Sequence, residues 1–203
     1  MNKNLYIIAG CNGAGHERKR TDEVKTTASF TILPEILNCK EFVNADEIAK
    51  GLSPFQPERV SFEAGRIMIK RINELLEINQ NFAFETTLAT KSYKSKVIIA
   101  QKKKYTVTLL FFWLQNVDLA IERVKTRVME GGHNIETEVI KRRYVNGIKN
   151  LFDIYISVVD EVLIYDNSGG KPELIAEKTL ESEITILNEL KFNKLKNQYY
   201  ENL

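Results

Sequence analysis

The hexapeptide Gly10-Cys11-Asn12-Gly13-Ala14-Gly15 directly follows the apolar run Leu5-Tyr6-Ile7-Ile8-Ala9, and Lys25-Thr26-Thr27 resumes after a nine-residue segment, His16–Val24. With that segment set aside, the two halves join as G-x-x-x-x-G-K-T, a phosphate-binding loop. Such a loop constrains a fold tightly. It needs a buried strand before it and a helix after it, so that backbone N–H groups can close around a phosphate chain. A short apolar run ending in glycine suits a strand covered on both faces in a parallel sheet. Chemistry then assigns Gly10, Gly13, Ala14 and Gly15 to the cradle and Lys25 to the outer phosphates. Thr26 is assigned to Mg2+, with Thr27 beside it.

The segment between the halves permits two arrangements. His16–Val24 can leave as an Ω-type excursion whose ends stay close, so that Lys25 still begins the helix and nucleotide binding survives. Alternatively the helix starts earlier, with Thr21 as N-cap and Asp22 and Glu23 in its first turn. Lys25 would then sit about 5 Å further along the helix. Two carboxylates would compete for the positive end of the helix dipole, where phosphates should bind. The capping pattern favours the second arrangement. Arg18-Lys19-Arg20 reads as a solvated basic loop.

Downstream, strands alternate with helices. Glu41-Phe42-Val43 and Phe82-Ala83-Phe84 read as strands, and Tyr105–Trp113 as the most apolar and hence central one. Pro57–Ile78 reads as a helix burying Ala64, Met68, Ile72, Leu75 and Leu76. Thr26–Leu37, Tyr93–Lys103, Val117–Met129 and Glu136–Val159 are further helices, Tyr93–Lys103 being basic. Val162–Tyr165 is a last core strand, Glu173–Glu177 an edge strand, and a C-terminal helix spans about 180–197. This pattern predicts a three-layer α/β fold with a mainly parallel sheet. At 203 residues, one domain over 1–203 is expected.

The net charge of +2 argues neither for nor against nucleic acid, and no aromatic platform accompanies the basic loop. Two cysteines, Cys11 and Cys39, suit a reducing cytoplasm rather than a disulfide framework. No apolar run approaches the length of a membrane span or signal peptide.

In open α/β sheets ligands bind at the carboxyl ends of strands. Asp46, after the second strand, is placed to deprotonate an acceptor hydroxyl; its alternative role is to cap the helix that follows. Glu85-Thr86-Thr87 ends the third strand and can hydrogen-bond a polar substrate or cap the next helix. Arg123, Arg127, Arg142 and Arg143 flank Gly131-Gly132-His133, which suits a mobile lid over about 123–143. The bland alternative is surface arginine paired with Glu122 or Glu138. His133 is a turn or lid residue.

Together these pieces resemble the zeta-toxin family of P-loop kinases, in its compact bacterial branch. The matching residues are Gly10–Gly15 joined to Lys25-Thr26-Thr27, Asn44–Ala49 with Leu52-Ser53-Pro54, and Phe84-Glu85-Thr86-Thr87. Arg127 with Gly131-Gly132-His133, Ile140–Tyr144 and Asn150-Leu151 complete the set. The resemblance implies ATP and Mg2+ as cosubstrates and a small hydroxyl-bearing acceptor such as a UDP-amino sugar. It implies Asp46 as base, Glu85 and Thr87 as acceptor contacts, and Arg123, Arg127 or Arg142 on the γ-phosphate. A separate antitoxin protein would be the partner. The interrupted loop leaves a second reading open: a catalytically silent α/β binding or interaction module.

Overall fold

The computed structural model describes residues 3–14, 39–132, 134–169 and 171–201. A seven-stranded sheet organises them, in the order β2-β3-β1-β4-β5-β6-β7. Its parallel part is β1 (Lys3–Gly10), β2 (Phe42–Val43), β3 (Phe82–Thr86), β4 (Tyr105–Trp113) and β5 (Glu161–Asp166). Two antiparallel strands, β6 (Glu173–Lys178) and β7 (Thr185–Ile186), close one side.

The apolar runs become inner strands for the expected reason. Every residue of β4 except Thr106 is buried, which requires cover on both faces. In register, Ile7 lies between Phe84 and Leu109, and Ala9 between Thr86 and Phe111. The carboxyl ends of the parallel strands therefore align along one rim.

The longer helices are α1 (Ala45–Leu52), α2 (Ser61–Glu77), α3 (Tyr93–Lys102), α4 (Val117–Met129), α5 (Thr137–Asn150) and α6 (Glu189–Tyr200). The predicted stripe on α2 is buried in full: Ala64, Met68, Ile72, Leu75 and Leu76. Pro57 opens a separate 3-10 turn, Pro57–Val60, and not the helix itself. The expected helix 136–159 is interrupted by a π turn, Leu151–Tyr155, before a last turn at Ile156–Val158. Asn150 and Tyr155, at either end of that π turn, both hold the loop after β3, through Leu88 O at 2.8 Å and Thr90 O at 3.0 Å.

Two expectations near the C-terminus need correction. Glu173–Glu177 is not an edge strand, because β7 pairs outside it and leaves Ile175 and Ala176 fully buried. The helix expected over 180–197 begins only at Glu189. Thr185 and Ile186 are β-branched and extended, Leu187 and Asn188 N–H both donate to Ile175 O, and the Asn188 side chain caps the helix through Lys191 N–H. The expected helix Thr26–Leu37 lies outside the described residues. Among the described residues, no helix is long and apolar enough to cross a membrane.

Candidate active site

The first half of the phosphate loop leaves β1 through a tight turn. A Cβ at Gly10 would stand 2.6 Å from Phe112 O and 2.8 Å from Ala14 Cβ, so only glycine fits. Ala14 N–H donates to Cys11 O at 2.9 Å, and Gly13 takes φ +84°, the left-handed region. Donors behind the loop hold its oxygens. Arg143 Nη1 donates to Asn12 Oδ1 at 3.0 Å, Arg123 Nη1 to Gly13 O at 3.3 Å, and Asn167 Nδ2 to Ala14 O at 2.6 Å. Carbonyls engaged this way do not face an anion. Burial pushes the Cys11 thiol up to about 12, so it adds no negative charge to the loop. Gly15, the His16–Val24 segment, Lys25, Thr26 and Thr27 lie outside the described residues.

Asn44 and Glu85 define the neighbouring strand ends. Asn44, not Asp46, caps α1: its Oδ1 accepts from Asp46 N–H at 2.7 Å and Glu47 N–H at 3.3 Å. The exposed Asp46 carboxylate is thereby released from the capping role. The Asn44 Nδ2 donates to Glu85 Oε2 at 2.9 Å, tying the two strand ends together. Burial, and next the charge of Asp46, raise the Glu85 carboxyl to about 7; the Asn44 hydrogen bond and the Arg127 charge oppose this. Glu85 and Thr87 do not cap α3, which starts only at Tyr93. Thr86 Oγ1 instead accepts from Leu88 N–H at 3.1 Å, and Leu88 is held at φ +57°. A Cβ at Gly147 would stand 2.8 Å from Thr87 O, so α5 seats directly on that residue.

The arginines divide by position. Arg123 braces the loop from behind, with Nη1 on Gly13 O and Nη2 on Ser168 O, each at 3.3 Å. Arg127 presents Nε and Nη2 that are buried and without a hydrogen-bond partner among the described residues. Gly132 allows this arrangement: its N–H donates to Arg127 O at 2.8 Å, and a Cβ there would strike Arg127 Cγ. On α5, Arg143 meets the loop where Arg142 was expected. Residues 140, 144, 147 and 148 form the buried stripe, and one residue is about 100° of helix rotation. That rotation puts Arg143 beside the stripe and leaves Arg142 exposed. Burial lowers the Arg143 pKa and the nearby Asp46 charge raises it, which puts both groups in one electrostatic site. Sequence reasoning named Arg142, and not Arg143, for the γ-phosphate; the adjacency of Arg143 to the buried Tyr144 was the available signal. His133 lies outside the described residues.

A mainly parallel sheet with a glycine turn after its first strand, and carboxylates and arginines along the carboxyl rim, defines a P-loop kinase-like fold. Solved structures share it. The AvrRxo1-ORF1:AvrRxo1-ORF2 complex with sulphate ions matches at TM-score 0.72 and 14% identity, over 96% of this chain and 63% of that one. The same complex with ATP matches at TM-score 0.70 and 13% identity, again over 96% and 63%. The PezAT chromosomal toxin–antitoxin system of Streptococcus pneumoniae matches at TM-score 0.58 and 13% identity, over 99% of this chain and 87% of that one. At these identities the likeness concerns the fold, and this chain spans less than two thirds of the AvrRxo1 chain. An uncharacterized protein of Haemophilus influenzae is 28% identical over 102 residues, 50% of this chain and 73% of that protein. The chain belongs to the zeta toxin family, whose model matches residues 2–179.

Proposed function

We propose that the chain is an ATP-dependent kinase acting on a hydroxyl of a small molecule. The observation that carries this reading is the convergence of three features on one rim. Asp46 is released from capping by Asn44, Glu85 is held near neutrality beside it, and Arg127 presents its Nε and Nη2, unpartnered among the described residues, to the same region. The described residues fit a phosphate chain, since the loop's oxygens are engaged from behind and Arg127 is available for an anion. Bound Mg·ATP would supply the γ-phosphoryl group.

In this reading Gly10, Gly13, Ala14, Gly15, Lys25 and Thr27 hold nucleotide, and Thr26 holds Mg2+. Asp46 accepts the proton of the acceptor hydroxyl. Glu85, fixed through one oxygen by Asn44, shares a hydrogen bond with the acceptor, and Thr87 borders it. Arg127 balances charge on the transferred group. Arg143 orients Asn12 and faces Asp46. Arg142 contributes only if α4 and α5 close as a lid. A UDP-amino sugar is the acceptor we favour, and a separate antitoxin protein the partner, as the complexes of the structural relatives suggest. The whole chain, 1–203, acts as one domain.

The His16–Val24 segment supports a second reading, a binding module that retains the fold without turnover. Calorimetric titration of Mg·ATP into this chain and into a version lacking His16–Val24 separates the two. Binding by both supports the kinase; binding only by the deletion supports the silent module; binding by neither removes the phosphate-loop reading. Within the kinase reading, Asp46→Asn abolishes turnover and leaves ATP affinity close to that of the parent.

A further inference from the structure

One of the donors behind the phosphate loop is set in place by the last helix of the chain. Asn167 follows β5 and is 1% exposed. Its N–H donates to Trp113 O at 2.8 Å and its Nδ2 to Ala14 O at 2.6 Å. Its Oδ1 is buried without a partner among the described residues. Rotating the amide would set oxygen against the Ala14 oxygen, so the contact with the loop decides its orientation.

The residues on either side of Asn167 are clamped. Asp166, 3% exposed, accepts from Lys191 Nζ at 2.7 Å, Gln115 Nε2 at 3.1 Å and Ser168 N–H at 2.9 Å. Ser168 Oγ accepts from Gln115 N–H at 2.8 Å, and Ser168 O takes one branch of Arg123, whose other branch holds Gly13 O. Gln115 is in turn held by α6, through Gln198 Nε2 on its carbonyl at 2.7 Å and Lys194 Nζ on its Oε1 at 3.0 Å. Hydrogen bonds, with the Asp166–Asn167 peptide link as one covalent step, thus connect α6, beyond the residues matched by the family, to Gly13 and Ala14.

We propose that Asn167 is a positioning residue for the phosphate loop, and that α6 sets its place through Lys191 on Asp166 and Gln198 on Gln115. The effect on nucleotide affinity rests on the kinase reading; the effect on the loop does not.

The test compares Asn167→Asp, Lys191→Met and Lys191→Arg by amide hydrogen exchange of the full chain. Each is also titrated with Mg·ATP, in the full chain and in its His16–Val24 deletion. Lys191→Met should speed exchange of the Ala14 amide about tenfold while the β4 amides Val107–Leu110 keep their rates. Lys191→Arg should restore the parent rate, and Asn167→Asp should exceed Lys191→Met. ATP affinity should fall in the same order in whichever version binds. Ala14 exchange that stays at the parent rate in Lys191→Met and Asn167→Asp, or that rises only in step with the β4 amides, overturns the proposal. Loop exchange that follows the expected order while no version binds ATP upholds the positioning role and removes the kinase reading.

Discussion

Asn44, Asp46, Glu85 and Arg127 show how one residue's chemistry is decided by its neighbours. Burial and the Asp46 charge hold the Glu85 carboxyl at about 7, against an ordinary 4.5. A carboxyl raised in the folded state contributes stability that is full below about 4.5 and is lost as pH rises through about 7. Glu85→Gln should therefore leave the melting temperature nearly unchanged at pH 4 and raise it at pH 8. Asp46→Asn removes the like charge, so an NMR titration of Glu85 should find its midpoint below that of the parent. The sequence showed which strand ends carry carboxylates, because an acid after a short apolar run is visible. It did not show that Asn44 would take the cap, since Asn and Asp compete equally for that role and only the local turn decides. That Arg143 and not Arg142 reaches Asn12 was legible only through helix phase, which the buried Tyr144 fixes.

Helix ends show where pattern alone stops being informative. α2 ends in Ile78 and Asn79, with Asn79 at φ +58° and Gln80 N–H donating to Leu75 O at 3.1 Å, the bond of a Schellman cap. α3 also ends in a left-handed residue, Lys104 at φ +66°, but here the bond is Lys104 N–H donating to Gln101 O at 2.9 Å, and the side chain gains nothing from the left-handed region. Lys104 is exposed, so Lys104→Gly should stabilise the chain by about 1 kcal/mol in urea unfolding. Long periodic elements such as α2 and β4 were legible because burial is what their spacing encodes. The stretch after Lys178 was not. Leu180–Leu195 has apolar spacing compatible with a helix throughout, yet Ile175 O offers hydrogen bonds that draw Leu187 and Asn188 into the ladder. Tertiary pairing overrode local preference there, as it did at the π turn.

Across the molecule, α6 ties the antiparallel margin of the sheet to its centre. Trp113, the sole tryptophan, is 1% exposed at the end of β4 and donates Nε1–H to Gln198 Oε1 at 2.9 Å. Removing 189–203 should shift tryptophan emission to longer wavelength. It should also cost about 2 kcal/mol for each of the buried Phe192 and Leu195. Asp166 gives the same unit an acid limit. Burial raises its carboxyl, but hydrogen bonds from Lys191, Ser168 and Gln115 outweigh burial and hold it at about 2, against 3.8. Its contribution is full above about 3.8 and is lost as pH falls through about 2. The unfolding midpoints of the parent and Lys191→Met should therefore differ at pH 6 and converge near pH 2. The two free thiols have a practical consequence. Burial holds Cys11 at about 12 and raises Cys39, so neither is a thiolate at neutral pH. A maleimide dye would thus react with one cysteine introduced at an exposed position of α6 in preference to Cys11 and Cys39. With Trp113 as its natural donor, energy transfer would then measure, in a single cuvette, how far the tail of the chain lifts from the sheet.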